Sequence, residues 1–259
     1  MNVLVLTSPL VQLNSPYPSG AYLNSYFKML GHNSRWCDLS LELFYSIFSR
    51  DGLTRLFELS EKNALSAAQK AEQKGDSNTA FNIRRYISTK QNWINWIDDI
   101  VAILCGKARE NEHQFLYSPF APRGARTENY LASMEHEPSV DDVRFLCSYA
   151  LADLADYITA VFDSEFSLIR YAEHLTVDER SFSQIEAKLD SPVMKHFFLP
   201  VLQKIDFNPD LICISVPFAG TFLPGLFAAR YFRNKSAQQG QTSVGGNSVH
   251  RGQSSPYIT

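Results

Sequence analysis

Two short stretches carry the residue types best suited to hold a ligand. Ser8, Tyr17, Ser19 and Gly20 lie in a proline-punctuated stretch after the first apolar run of the chain. Pro217, Phe218, Gly220 and Thr221 follow the last such run. Small residues let a bulky, planar ligand approach backbone N–H groups closely. Loops at the C-terminal ends of parallel strands are where α/β sheets bind ligands, so all eight residues are candidate cofactor contacts. The competing reading is that these loops simply pack beneath neighbouring helices. Gly220 and Gly225 do not make a phosphate loop, because Leu226 and Phe227 stand where Lys and Ser/Thr would be needed.

The remaining chemistry-bearing residues are dispersed. Cys37, Cys105, Cys147 and Cys213 form no CxxC or CxxxCxxC pattern and read as small core residues of a reducing compartment. His113 and His136 have acidic neighbours, but no HExxH or paired-ligand spacing occurs. A zinc site needs three or four converging ligands, so the histidines read as surface residues. Arg109, Arg123 and Arg126 fall in one stretch that could grip a phosphate or carboxylate, or simply be solvated. No catalytic residue and no metal ligand is assigned.

The elements that must position the two loops are legible at the ends of the chain. Residues 2–7, NVLVLT, read as a strand, and Pro9, Pro16 and Pro18 mark the loop after it. Ser19 is placed to N-cap a helix over residues 21–30, with Tyr22, Leu23, Tyr26, Phe27 and Leu30 on its apolar face. Gly31 closes that helix, and residues 34–38 read as a second strand, completing a βαβ unit with a parallel sheet. Residues 211–216 read as a strand buried on both faces, ended by Pro217 and followed by a helix over 223–233.

Between strands two and three, residues 41–207 are helical in character. Amphipathic helices are expected over residues 41–48, 51–73, 79–88, 92–105, 139–162, 181–189 and 192–205, with a turn and short helix over 163–175. Trp93 and Trp96 share a face with Ile97 and Ile100 and read as core. Residues 106–138, with Pro119, Pro122 and Gly124, read as irregular. Ser139 and Asp142 form an acidic variant of the capping box. A crossover needs only a dozen or so residues, so this segment reads as a large α-helical insertion. The fold class is α/β: an incomplete Rossmann-like parallel sheet of order 2-1-3, formed by residues 1–40 and 208–233, carrying the insertion. Residues 234–259 hold no acidic residue, no Leu and no Phe, and read as a disordered or non-native tail.

Net charge −3 gives no reason to expect a nucleic-acid or anionic-membrane partner. The N-terminus has no basic segment or cleavage site, and no stretch reads as membrane-spanning, so a cytoplasmic location is expected.

The ends of the chain also resemble a known family. Pro16-Tyr17-Pro18, Ala21-Tyr22-Leu23, Tyr26-Phe27-Lys28, Leu30-Gly31-His32 and Cys37-Asp38-Leu39-Ser40 resemble the opening of radical-SAM proteins with an N-terminal cobalamin-binding domain. Leu151-Ala152-Asp153-Leu154-Ala155-Asp156, Arg170-Tyr171-Ala172-Glu173 and residues 214–233 are similar to later parts of a subgroup with a helical insertion. The resemblance implies a cobalamin-binding-like domain ahead of a barrel. In a full-length relative, that barrel holds a [4Fe-4S] cluster on CxxxCxxC and cleaves S-adenosylmethionine. The cluster motif is absent here, as is the D-x-H-x-x-G loop whose histidine ligates cobalt in methionine synthase. The family's sheet continues beyond the helix ending near Arg233 with a strand and a glycine pair, which Thr242-Ser243-Val244-Gly245-Gly246 only faintly resembles. A chain cut short, by truncation or a shifted reading frame, is therefore expected. The alternative reading is a non-catalytic α/β-plus-helical module for protein–protein interaction.

Overall fold

The computed structural model describes residues 1–11, 13, 17–168 and 182–242. Its sheet is parallel and three-stranded, in the order β2-β1-β3. The central strand β1 (Asn2–Thr7) has β-branched and leucine residues alone between Val3 and Leu6, and all four are fully buried. Burying a side chain of this size contributes about 1.5–3 kcal/mol, so β1 anchors the sheet. Strand β2 (Asn33–Asp38) lies on one side and β3 (Leu211–Ser215) on the other. The registers set Val5 beside Trp36 and Cys213, and Leu6 beside Cys37 and Ile214.

Strand periodicity gives the sheet two unlike faces. Leu4 and Leu6 of β1 point into the main core, with Cys37, Ile212 and Ile214 packed partly against it. The opposite face, built on Val3, Val5 and Thr7, is covered by α1 (Ser19–Met29) after β1. Gly20 is essential to that contact, because a Cβ there would stand 2.2 Å from Trp36 Nε1. Trp36 Nε1 in turn donates to Thr7 Oγ1 at 3.0 Å.

Two expectations about these elements are corrected. Ser19 does not cap α1; it is the first helical residue, and Pro18 occupies the N-cap. The apolar face of α1 does not reach a core: Tyr22 is 75% and Tyr26 56% exposed, and Leu23 and Leu30 are exposed too. Strand β3 is likewise not buried on both faces; Ile212 to Ser215 are half-buried and Leu211 is exposed.

Asp38 ends β2 and caps α2 (Leu39–Ile47), accepting from the N–H groups of Ser40 and Leu41. The chain then builds a helical body from α3 (Arg50–Gln73), α4 (Ser77–Ser88) and α5 (Lys90–Leu104). Ser49 caps α3 and Asp76 caps α4, while Gly75 at φ +80° makes the turn between them. Residues 106–138 are not irregular as expected. They contain α6 (Glu110–Tyr117) and α7 (Ala125–Ser133), separated by Pro119 and Pro122.

The Ser139–Asp142 capping box opens a 3-10 turn that leads into α8 (Val143–Tyr157). A π-helical segment, Ile158–Phe162, continues it. The stretch Val140–Phe162 is apolar and long enough to cross a membrane by composition, which sequence reading overlooked. Val143, Leu146, Cys147, Ala150, Leu154 and Ile158 are instead core of the helical body. Around α8, Tyr157 packs on Phe57 and Tyr86 at 5.2 Å between ring centroids, and Tyr86 packs on Trp93 at 5.4 Å. Both phenols have a partner: Tyr157 shares a hydrogen bond with Ser60, and Tyr86 donates to the Asp153 carbonyl at 2.8 Å. Buried Tyr without such a partner would cost stability, so these pairs let aromatic bulk fill the core.

Of the turn and short helix expected over 163–175, the turn at Asp163 is present and residues 169–175 lie outside the described residues. The Asp163 carboxylate accepts from Ser191 Oγ at 2.7 Å and Val193 N at 2.9 Å, fastening the end of α8 to the later helices. These are α9 (Phe182–Lys188), a π segment Met194–Phe198 and α10 (Leu199–Gln203). The last helix, α11 (Phe222–Thr242), runs well past Arg233. The expectation of a disordered stretch from 234 is thus corrected as far as Thr242, and residues 243–259 lie outside the described residues. Asn, Lys, Ser, Ala and Gln tolerate a helix already nucleated by the apolar turn Leu223–Phe227, although they would not start one.

Candidate binding edge of the sheet

The two loops meet at the C-terminal edge of the sheet, where β1 and β3 end side by side. Ser8 N–H bonds to the Ser215 carbonyl at 3.0 Å, continuing the strand pairing by one residue. Ser8 Oγ then donates to the Thr221 carbonyl at 2.6 Å, both residues being fully buried. Thr221 Oγ1 donates to the Phe218 carbonyl at 2.8 Å and closes the 3-10 turn Ala219–Thr221. Ser19 Oγ and Ser215 Oγ lie 2.7 Å apart, which fastens the start of α1 over the end of β3. The Tyr17 ring meets Phe218 edge-on at 6.1 Å.

Ser8, Tyr17, Ser19, Gly20, Phe218 and Thr221 are therefore brought together, with Pro217 and Gly220 in the connecting turn. Their chemistry is not the one expected of open loops. The Ser8, Ser19 and Thr221 hydroxyls bond to one another's segments, and Gly20 and Gly220 are buried. The space beside Gly20 holds the Trp36 indole, and the space beside Gly225 holds Val216 and Ser8. The surface left for a ligand is the half-buried rims of Tyr17, Pro217 and Phe218. Such a surface suits apolar contact with a large planar group, with orientation supplied by backbone rather than hydroxyl groups.

Three residues of this edge were not anticipated: Trp36, Ser215 and Gly225. The signal for Trp36 was available, since an aromatic residue on a strand facing a glycine at the start of a helix marks a close approach. Ser215 is visible only once the register of β3 against β1 is known.

Metal ligation finds no support in side-chain positions. No group of three or more His, Cys, Asp or Glu residues capable of holding a metal ion occurs among the described residues. Cys37 and Cys213 lie on opposite sheet faces, Cys105 is exposed, and Cys147 is fully buried, its thiol pushed up to about 12 by burial. His32 sits at the far end of α1 against Phe27, and His113 and His136 are exposed. His196 is half-buried beside Phe162, which corrects its reading as a surface residue. His174 and His250 lie outside the described residues.

Of Arg109, Arg123 and Arg126, the last two have a structural task. Arg126 forms two bonds to the Asp156 carboxylate, at 2.6 and 2.8 Å, and Arg123 donates to the Leu116 carbonyl. Nearby, the fully buried Asp153 carboxylate accepts from the N–H groups of Gly124, Arg126 and Thr127 and from Thr127 Oγ1. Asp153 thus caps α7 from α8, a role that sequence spacing did not disclose. Burial pushes its pKa up against the downward pull of those four bonds.

Comparison with known proteins leaves the chain without an assigned relative: no family model, curated protein or solved structure matches it.

Proposed function

We propose that the chain is a cobalamin-binding-like domain of a radical-SAM enzyme of the cobalamin-dependent type, without catalytic activity of its own. The observation that supports this reading most is the placement of the half-buried Tyr17, Pro217 and Phe218 at the C-terminal edge of a 2-1-3 sheet. Ligands of open α/β sheets bind outside the carboxyl ends of the strands, at the point where strand order reverses. Here that point lies between β1 and β3.

The donor set fits cobalamin only in part. Tyr17, Pro217 and Phe218 would contact the corrin rim, while no imidazole among the described residues lies at this edge to ligate cobalt. Bound cobalamin would bring a reactive cobalt centre to the adjoining barrel of a full-length relative. The residues of this chain would orient it and exclude water from one side. The cysteine positions do not fit a [4Fe-4S] cluster, so the cluster and S-adenosylmethionine belong to the full-length relative alone. A cytoplasmic setting accords with this reading.

Mixing the protein with hydroxocobalamin, followed by gel filtration, tests the proposal. Visible absorbance is expected to co-elute with the protein at micromolar concentration, and Phe218→Ala to weaken that co-elution. Absence of co-elution contradicts the reading and favours the alternative, a non-catalytic α/β-plus-helical interaction module. The exposed apolar residues of α1 are the observation on that side.

A further inference from the structure

The two edges of the sheet differ in a way that has a consequence for assembly. The outer edge of β2 is guarded: Arg35 and Asp38 are charged, and Arg35 Nη1 donates to the Asp206 carbonyl. Charges on an edge strand discourage pairing with another chain. Strand β3, LICIS, carries no charge, and Val216 beyond it is again apolar and exposed. Ser8 N–H bonds to the Ser215 carbonyl. Strand alternation therefore turns Leu211, Cys213 and Ser215 toward β1 and leaves the backbone groups of Ile212 and Ile214 on the side that no strand among the described residues occupies.

The surface beside that edge is apolar as well. Ser19, Leu23, Tyr26 and Leu30 recur at spacings of four, three and four, so they share one helical face. Ser19 reaches Ser215 of β3, which places this stripe on the β3 side of α1. Tyr22, Leu23, Tyr26, Met29 and Leu30 are exposed, Met29 to 86%. From residue 19 to 30 the only charge is Lys28. At their exposures the three apolar residues of the stripe, Leu23, Tyr26 and Leu30, offer on the order of 300 Å². The edge of β3 with Leu211 and Val216 adds to this, and the total falls below the about 800 Å² per partner of a standard interface, which fits a weak, concentration-dependent pairing.

We propose that this surface pairs with a second copy of the chain, β3 against β3 in antiparallel fashion about a two-fold axis. The geometry joins the two sheets into one, in the order 2-1-3-3-1-2. A two-fold interface sets each residue against the same patch of its partner, so a nearly uncharged, self-complementary surface is what it requires. An edge strand meets that requirement, because antiparallel pairing of a strand with its own copy satisfies donors and acceptors on both sides. The alignment lays the α1 stripes along the two flanks of the seam. This goes beyond the cofactor reading and concerns the 259-residue chain alone, because a sheet continuing past β3, as the family resemblance implies, would occupy the same edge.

Sedimentation velocity on the 259-residue chain, from low to high micromolar concentration and without cobalamin, tests the pairing. The expected species has twice the chain mass of 29.3 kDa. Leu211→Lys combined with Val216→Lys brings like charges together across the axis and is expected to weaken association by roughly tenfold or more. Tyr26→Lys, on an exposed helical position, is expected to weaken it with an unchanged melting temperature, so the test does not rest on a strand variant alone. A wild-type chain that stays monomeric at high micromolar concentration overturns the proposal. So does a dimer that keeps its affinity in both variants, or an open-ended series of larger species.

Discussion

The helical body and the sheet unit solve the same problem of burying apolar surface to very different degrees. In the body, Leu53, Leu56, Ile97, Ile100, Leu146 and Leu154 are fully or almost fully buried, and Asp153, Asp163, Tyr86 and Tyr157 are bonded, while Nε and Nη2 of Arg85 are buried without a partner among the described residues. Asp153 accepts four hydrogen bonds, Asp163 joins α8 to the later helices, and Tyr86 and Tyr157 each have a partner. In the sheet unit only β1 is fully enclosed. Strand β3 is half-buried, and α1 buries one residue, Gly20. A helix with an apolar face that meets nothing is not a defect of sequence pattern. On the proposal above it is the face that flanks the seam with a second copy, and the difference shows which region of the molecule is left to be covered.

Mutation would sharpen that contrast. The largest effect is expected in the body: Leu56→Ala removes a fully buried side chain and should cost about 3 kcal/mol, within the range for such truncations. A urea titration measures it. Asp153→Ala leaves the cap of α7 unfilled and buried N–H groups unpaired, and should cost about 2–3 kcal/mol. Asp153→Asn retains an acceptor and should cost less. In the sheet unit, Gly20→Ala drives a methyl into the Trp36 ring and should cost about 1–3 kcal/mol, with a change in the part of the tryptophan fluorescence that comes from Trp36. Tyr26→Ala, by contrast, should fall within about 0.5 kcal/mol of wild type in the monomer. If Tyr26→Ala destabilises the monomer as much as Leu56→Ala, the contrast between the two regions fails.

The smallest effect is electrostatic. The capping hydrogen bonds from Thr79 and Ser139 hold Asp76 and Asp142 below the usual carboxylate range. Groups with lowered folded-state pKa contribute stability above their unfolded value and lose it as pH falls through the folded value. Both are solvent-exposed, so the loss below about pH 4 should be slight. Asp153 has the opposite sign: its raised pKa favours the fold on acidification until the unfolded state is also protonated. Thermal melts of wild type and Asp153→Asn across this range separate the two contributions.

Much of the fold was legible because it rests on local patterns. The run VLVL, the turn signals around Gly31 and Gly75, and the Ser139–Asp142 box each act within a few residues. The strand order 2-1-3 follows from reading the ends of the chain as a Rossmann-like parallel sheet. Helices α6 and α7 were missed because Pro119, Pro122 and Gly124 between them suggest continuous loop, while the α7 cap comes from Asp153 on a distant helix. The helix beyond Arg233 was missed because its polar composition is judged alone as disordered, although propagation from an existing helix is easy. The eight candidate residues lie at one edge because both loops follow parallel neighbouring strands. Sequence did not disclose that their hydroxyls would satisfy each other, since that depends on the register of β3 against β1. Nor does periodicity tell whether an apolar stripe has anything to face, which is why α1 reads as a core helix and is not.

Hydrogen exchange on the dilute, monomeric chain measures the central contrast directly. The amides of α3, α5 and α8 are expected to exchange slowest, at the rate of global unfolding. Those of Ile212 and Ile214 on the open side of β3 should exchange far faster. Equal protection of β3 and α8 in the monomer would contradict the account, because it would mean that the open edge already has its partner.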